Sequence, residues 1–204
     1  MASRRLFLAL PLCMALAGWH GAAKESASAP AQQPLESDFN PAPFLREGFK
    51  LVRVARGDLN GDSLADAVIV TMPDETDPEA RFARRTLSIL VASPNGTFSL
   101  VSQNTMLAGC EVCGGSMGDG LADVSISNGA LTVANEGGIR AGWSDVYTFR
   151  YEVAINDWAL VKYRSLVSSQ FDQQSGLIES TPEDFGVKRF AELKQDDLPR
   201  ATLP

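Results

Sequence analysis

Short segments that alternate apolar and polar residues, paired around tight turns, dominate this chain. Three such pairs are visible, at residues 86–91 and 97–101, 123–127 and 130–134, and 146–153 and 158–163. The middle pair flanks Asn128-Gly129, a dipeptide that favours the two-residue turn of a β-hairpin. No amphipathic segment of helical length separates the pairs. The pattern therefore predicts an all-β fold, an antiparallel meander that forms a sandwich or a partly closed barrel.

The regions around these hairpins complete the predicted domain. Apolar residues at 49–54 and 67–70 indicate two further strands, and the polar stretch 74–85 is expected to be an exposed loop with one helical turn. The tail after Val167 mixes helix-starting and helix-breaking residues, and a short helix is expected over 188–194. The tail residues expected to dock on the sheet are Phe185, Phe190 and Leu193.

The N-terminal segment has the order of a secretory signal peptide. Arg4 and Arg5 precede an apolar run at 6–19, and small residues then lead to an expected cleavage site after Ala23. An apolar run this short crosses a bilayer poorly; an uncleaved anchor and lipidation at Cys13 are the alternatives. The protein is therefore expected to be exported, periplasmic or secreted, with no membrane attachment after cleavage. The predicted divisions are a signal peptide at 1–23, a flexible leader at 24–43 and one β domain at 44–204.

Charge and histidine content exclude several function classes. The 204-residue chain carries 18 basic and 25 acidic side chains, a formal charge of −7, which disfavours binding to nucleic acid or anionic lipid. Its single histidine, His20, leaves with the signal peptide, so chemistry that needs an imidazole base or ligand is excluded from the exported protein. Paired carboxylates remain possible, and a glycoside hydrolase is the catalytic alternative.

One loop between the first two predicted strands has the spacing of a calcium site. Calcium takes six to eight hard oxygen ligands, which alternate residues of a tight loop can supply. Gly61 permits the sharp turn. Residue 69 is Ile where an EF-hand needs a bidentate Glu, so the loop is not an EF-hand. The expected ligands are the side chains of Asp58, Asn60, Asp62 and Asp66 and the backbone carbonyl of Leu64. An Asp/Asn-rich turn without metal is the alternative.

Residues 57–70 resemble the calcium loop of FG-GAP and VCBS repeats, whose pattern is Asp-x-Asn-Gly-Asp-x-x-x-Asp before a buried strand. Residues 110–115, the Asn128-Gly129 hairpin, residues 147–151 and Trp158 extend the resemblance over about 49–165, to small exported bacterial proteins with one such repeat. The resemblance implies export and one bound calcium ion, and it implies no reaction. A propeller needs at least about four blades, for which this chain is too short.

A second stretch, 118–123, echoes the loop but lacks half of the ligands, because Gly115 and Met117 fall at the first two ligand positions. It is therefore interpreted as coincidence or a degenerate repeat. Among the three cysteines, Cys110 and Cys113 form a Cys-x-x-Cys pair in a protein expected to meet oxidising conditions. Gly114 and Gly115 disfavour the helix that a redox-active pair usually opens. A structural disulfide is predicted, with a redox pair and a metal site as alternatives.

The partner is expected to be a protein or a saccharide. Aromatic residues on adjoining strands could form a sugar-stacking platform, although such residues more often pack in the core or across strands. These residues are Trp143, Tyr147, Tyr151, Trp158 and Tyr163. The acidic surface also suits an inhibitor or immunity-type protein that meets a basic enzyme. The leading prediction is a binding or scaffolding module without catalysis.

Overall fold

Two antiparallel sheets make up most of the chain that the structure describes. The computed structural model describes residues 39–74, 78–169 and 171–204, so the predicted signal peptide and most of the predicted leader lie outside the described residues. Residues 40–204 form one compact unit. It opens with a 3₁₀ turn at Ala42–Phe44, and none of its helices has the length and apolar character that a membrane-spanning helix requires.

The first sheet has four strands in chain order. Its strands are β1 (Phe49–Gly57), β2 (Asp66–Pro73), β3 (Arg85–Ala92) and β4 (Phe98–Ala108). They pair as β1-β2-β3-β4, so β4 is an outer strand. A 3₁₀ helix at Pro78–Phe82 precedes β3, which agrees with the helical turn expected in the polar loop. β2 is buried along almost its whole length, because both of its faces are covered.

The second sheet has five strands, again in chain order. Its strands are β5 (Leu121–Ser127), β6 (Ala130–Gly138), β7 (Ala141–Glu152), β8 (Asp157–Ser169) and β9 (Ser175–Ser180). Asn128 and Gly129 both have positive φ, 51° and 71°, as the predicted two-residue hairpin turn requires. The all-β prediction is confirmed, and of its two forms the described strands build the sandwich, since neither sheet closes into a barrel.

The core lies between the sheets, where alternate residues of facing strands interdigitate. The central side chains are at most 1% exposed, and each contributes about 1.5–3 kcal/mol relative to an exposed position. They include Val68, Val70, Leu87, Ile89, Leu131, Val133, Tyr147, Phe149 and Leu160.

The C-terminal tail packs on this core without the helix expected over 188–194. That stretch forms turns, and the short helix α1 lies earlier, at Pro182–Phe185, where Gly186 with φ 71° ends it. The docking prediction is confirmed for Phe190, fully buried with its ring 5.2 Å from that of Phe149. Leu193 is 1% exposed, and Phe185 packs partly buried against the same cluster. The helix prediction failed because docking of separate apolar residues sets this backbone.

Candidate functional site

The predicted calcium loop joins the end of β1 to the start of β2 and closes around the carboxylate of Asp58. Its Oδ1 accepts hydrogen bonds from the backbone N–H groups of Asn60 at 3.2 Å and Gly61 at 2.7 Å, and its Oδ2 accepts one from Ser63 at 2.9 Å. Desolvation raises the pKa of Asp58, but these backbone hydrogen bonds outweigh it and hold the pKa below its usual value. The side chain therefore stays ionised and tightens the turn.

The middle of the loop is held by reciprocal bonds between Asn60 and Asp62. Asn60 Nδ2 donates to Asp62 Oδ2 at 2.9 Å, and the Asp62 N–H donates to Asn60 Oδ1 at 3.0 Å. The Leu64 N–H donates to Asp62 Oδ1 at 2.8 Å. Gly61 and Ser63 have positive φ, 84° and 68°. The turn at Gly61 was predicted; the left-handed Ser63 carried no sequence signal.

Asp66, at the first position of β2, is fully buried. Its Oδ2 accepts the Leu59 N–H at 2.8 Å and its Oδ1 accepts the Ala92 N–H at 2.9 Å, so it ties the loop to the end of β3. Burial raises the pKa of Asp66, and the negative charges of Asp62 and Asp58 raise it further. A nearby cation would offset these negative charges and lower the free-energy cost of burying the ionised Asp66 carboxylate.

The donor set fits calcium in its chemistry, because three carboxylates and one amide supply only hard oxygen atoms. Asp58 Oδ1 already accepts two N–H groups, whereas each of the other five carboxylate oxygens of Asp58, Asp62 and Asp66 accepts one and still has a second lone pair. The described conformation turns these oxygens toward the loop's own N–H groups. Within residues 39–74, 78–169 and 171–204, no three Asp, Glu, His or Cys side chains are grouped closely enough to hold a metal ion. The calcium site therefore stays a prediction.

A cleft of about 750 Å³ opens beside the loop. One wall is formed by loop residues 60–62, a second by residues 101–103 of β4, and a third by the turn between β7 and β8. Val91 and Ala191 complete the lining. Sequence analysis did not identify this cleft, because its walls come from segments far apart in the chain whose residues form no motif.

Most polar and aromatic groups of the third wall contact one another, and the exception is the buried Trp158 Nε1, which has no hydrogen-bond partner within the described residues. Asp157 accepts the Trp158 backbone N–H at 2.8 Å and forms an ion pair with Arg189 at 3.1 Å. The ring centroids of Tyr151 and Trp158 lie 5.1 Å apart, and the Tyr151 hydroxyl donates to Asn156 Oδ1 at 2.5 Å. Trp158 is only 5% exposed, so its ring offers no open face.

The other aromatic residues of the predicted sugar platform do not join this wall. Tyr147 and Tyr163 are fully buried and pack together with ring centroids 5.1 Å apart. Burial raises the pKa of Tyr163 to about 12, and it raises that of Tyr147 also. Trp143 packs under the Arg200 guanidinium, which also lies 3.0 Å from Oδ2 of the buried Asp145. These residues therefore form core and tail contacts.

The disulfide between Cys110 and Cys113 is present, as predicted. Residues 111–114 form turns, so no helix begins at the pair. Cys110 is buried and Cys113 is exposed. A side chain at Gly120 would place its Cβ 2.6 Å from that of Cys113, so the loop around the disulfide requires glycine there. The bond fixes the approach to β5.

The echo of the loop at 118–123 has a structural role. Asp119 accepts two hydrogen bonds from the guanidinium of Arg85, at 2.7 and 2.8 Å, and one from the Leu121 N–H at 2.8 Å. Arg85 is the first residue of β3, which belongs to the other sheet, and its side chain is 2% exposed. Burial raises the pKa of Asp119, but the Arg85 hydrogen bonds and charge outweigh it and lower the pKa. Asp119 therefore joins the two sheets.

Comparison with known proteins gives no relative from which a role can be transferred. The chain matches no family model, no curated protein and no solved structure.

Proposed function

We propose that this protein is an exported, non-catalytic binding domain whose Asp58–Asp66 loop holds one structural calcium ion. The observation that carries the proposal is the position of the loop: residues 60–62 form a wall of the cleft. An ion that fixes the loop also fixes the shape of that wall. Export rests on the signal-like sequence at 1–23.

The ion would be held by side-chain oxygens of the loop and one backbone carbonyl. Two features of the loop support the proposal. Asp66 is buried and its pKa is raised, and the negative charges of Asp58, Asp62 and Asp66 repel one another, which opposes closure of the loop without a cation. Calcium supplies the compensating charge when bound. The residues that would hold it are Asp58, Asn60, Asp62 and Asp66 through their side chains, and Leu64 through its carbonyl.

The carboxylates of the cleft favour binding over hydrolysis. Glycoside hydrolysis uses one carboxyl group as a proton donor and a second as base or nucleophile. The two acids that line the cleft are Asp62 and Asp157. Asp157 is ion-paired with Arg189, and Asp62 accepts hydrogen bonds from its own loop. Asp157 is held by Arg189 and Asp62 is a proposed calcium ligand, so neither is arranged as the proton donor that hydrolysis needs, and we place ligand binding ahead of catalysis.

Thermal melts with calcium and with EDTA test the calcium proposal. Extracellular calcium modules bind with Kd of about 10⁻⁴–10⁻³ M. At about 10 mM calcium, ten to a hundred times that Kd, stabilisation is about 1.4–2.7 kcal/mol. The melting temperature should therefore rise by roughly 3–10 °C.

Substitution localises the effect. Asp62→Ala should abolish the calcium-dependent rise, because it removes a central ligand. Asp196→Ala is the matched control: Asp196 is exposed and lies outside the loop and the cleft lining, so its variant should keep the full rise. Coincident wild-type curves, or an undiminished rise in Asp62→Ala, would show that the loop is an Asp-rich turn without a calcium function.

A further inference from the structure

The β4 wall of the cleft has the properties of a docking edge. β4 is the last strand of its sheet, so one side of its backbone has no strand partner within the described residues. Its sequence contains no charged residue and no proline, two of the common protections of an edge strand. Leu100 and Val101 are about half exposed, 47% and 48%. An extended chain could therefore pair with this edge.

A β-bulge lies where this edge strand borders the cleft. Ser102 pairs with Ile89 and Leu100 pairs with Leu90, which leaves Val101 without an opposite residue on β3. Bulges bend a strand and re-aim its side chains, often beside binding sites. Val101 accordingly lines the cleft together with Ser102 and Gln103. The same three residues thus offer an apolar side chain, polar side chains and an edge backbone.

The charge of the cleft selects among ligands. Of the described residues that line it, two are carboxylates and none is Lys or Arg. The charge of Asp157 is balanced by Arg189 at 3.1 Å, whereas Asp62 has only the hydrogen bonds of its loop and no ion pair within the described residues. A ligand with a Lys or Arg beside the loop gains from this unbalanced charge, and an anionic ligand is repelled.

The aromatic groups disfavour a saccharide. Sugar stacking needs an open ring face, but Trp158 is 5% exposed and the Tyr151 ring packs on it. We propose that the cleft binds an extended segment of a partner protein, with basic residues next to apolar ones, laid along Val101–Gln103. This deepens the proposed binding function, and of the proposed calcium ligands it shares Asn60 and Asp62, which line the cleft, with Asp62 the only charged one.

Titration calorimetry with synthetic peptides tests the inference. The probe is a capped peptide of about nine residues that alternates Lys with Val, long enough to span the wall. We expect it to bind with Kd below about 1 mM. A peptide of Glu and Val should bind at least about tenfold more weakly because of its charge. Methylation of alternate backbone nitrogens of the Lys/Val peptide should lower its affinity by a similar factor, because the methylated peptide cannot pair with a strand.

Two variants localise the binding. Val101→Lys places a positive charge on the wall and should weaken the Lys/Val peptide about tenfold or more. Ile139→Lys makes the same change at a residue that is 73% exposed and outside the cleft lining, and it should have no effect. Circular dichroism checks that each variant is folded, and Gln103→Lys replaces Val101→Lys if that variant is not.

The outcomes separate the two proposals. All titrations are run in EDTA and in millimolar calcium, and calcium should weaken the Lys/Val peptide severalfold by neutralising Asp62. If the peptide binds equally in EDTA and in calcium, and calcium does not shift the melting temperature, the calcium proposal is overturned and the peptide proposal is retained. The peptide inference is overturned if the Lys/Val peptide does not bind, if the Glu/Val peptide binds equally, or if Val101→Lys and Ile139→Lys have the same effect. Binding of cellohexaose in place of the peptide would also overturn it.

Discussion

Asp119 matches a calcium-ligand position of the loop pattern in the sequence, but in the structure it is the ion-pair partner of Arg85. The Arg85 guanidinium is buried at the start of β3, and Asp119 supplies a two-oxygen acceptor from the loop before β5. Removal of Asp119 would leave the buried positive charge of Arg85 without a partner, and this would cost folding free energy. The position of Asp119 in a loop-like sequence is therefore explained by contact between the sheets.

Asp119→Ala should lower the free energy of unfolding by about 1–3 kcal/mol, because it leaves the buried Arg85 without its charged acceptor. Denaturant unfolding measures the change. Asp123→Ala is the control: Asp123 is 54% exposed and lies 3.6 Å from Arg53, so its loss should cost at most about 1 kcal/mol. Equal losses in both variants would contradict the role assigned to Asp119.

The same pair predicts a pH dependence. Because the folded-state pKa of Asp119 is lowered, its stabilising contribution is present above the unfolded pKa of about 3.9 and is lost as pH falls through the folded value. The stability difference between wild type and Asp119→Ala should therefore be full near neutral pH and shrink below about pH 4. A difference that stays constant across this range would exclude ionisation of Asp119 as its source.

At the scale of elements, Asn104 joins β4 to the C-terminal tail. It is 1% exposed, its Nδ2 donates to the carbonyls of Phe190 and Leu193, and its Oδ1 accepts the N–H groups of Met106 and Leu107. All four hydrogen-bonding positions of the amide are thus used. No helix forms over 188–194, between α1 and a 3₁₀ helix at Gln195–Asp197, so these bonds supply the order that helical bonds would give this stretch.

Asn104→Ala should cost about 3–5 kcal/mol, because it removes four hydrogen bonds and leaves buried backbone groups unpaired. Gln103→Ala is the adjacent control, with one hydrogen bond to Ser88 and an expected cost of at most about 1.5 kcal/mol. Urea unfolding measures both variants. Comparable costs would contradict a special role of Asn104.

The Cys110–Cys113 bond closes a very small loop, so its entropic contribution is small. Replacement of both cysteines by Ser should lower the free energy of unfolding by about 1–2 kcal/mol, and the purified protein should contain no free thiol. Denaturant unfolding and thiol labelling without reductant measure these outcomes. Disulfide-reductase activity of the wild type would instead support the redox alternative.

Elements with strong local signals were predictable from the sequence, and those that depend on distant contacts were not. The hairpin at Asn128-Gly129 and the turn at Gly61 were found because only a few residues favour positive φ. β9 at Ser175–Ser180 was missed because it is largely exposed and has few apolar residues. The cleft was missed because its walls meet only after the sheets pack. The loop residues were located, but whether they bind calcium depends on side-chain convergence, which spacing does not determine.

At the scale of the whole molecule, the sandwich assigns different tasks to its regions. The middle of each sheet forms the core, the Asp119–Arg85 pair and the tail connect the sheets, and the outer strand β4 remains available beside the loop. The negative charge of −7 disfavours self-association, which protects an uncharged outer strand. A basic partner segment would meet less repulsion than a second copy of this protein.

The proposed calcium site and the Cys110–Cys113 disulfide suit a protein outside the cytoplasm, where calcium is abundant and a disulfide persists. The basic residues Arg4 and Arg5, the apolar run and the small residues up to Ala23 predict that the exported protein begins at or near Lys24. Expression of the full chain in a bacterium, followed by fractionation and intact-mass measurement, checks this. Replacement of Arg4 and Arg5 by Glu is expected to retain the precursor in the cytoplasm, because the n-region loses its positive charge. Exported protein that still carries Met1 would contradict cleavage, and cytoplasmic wild type would contradict export itself.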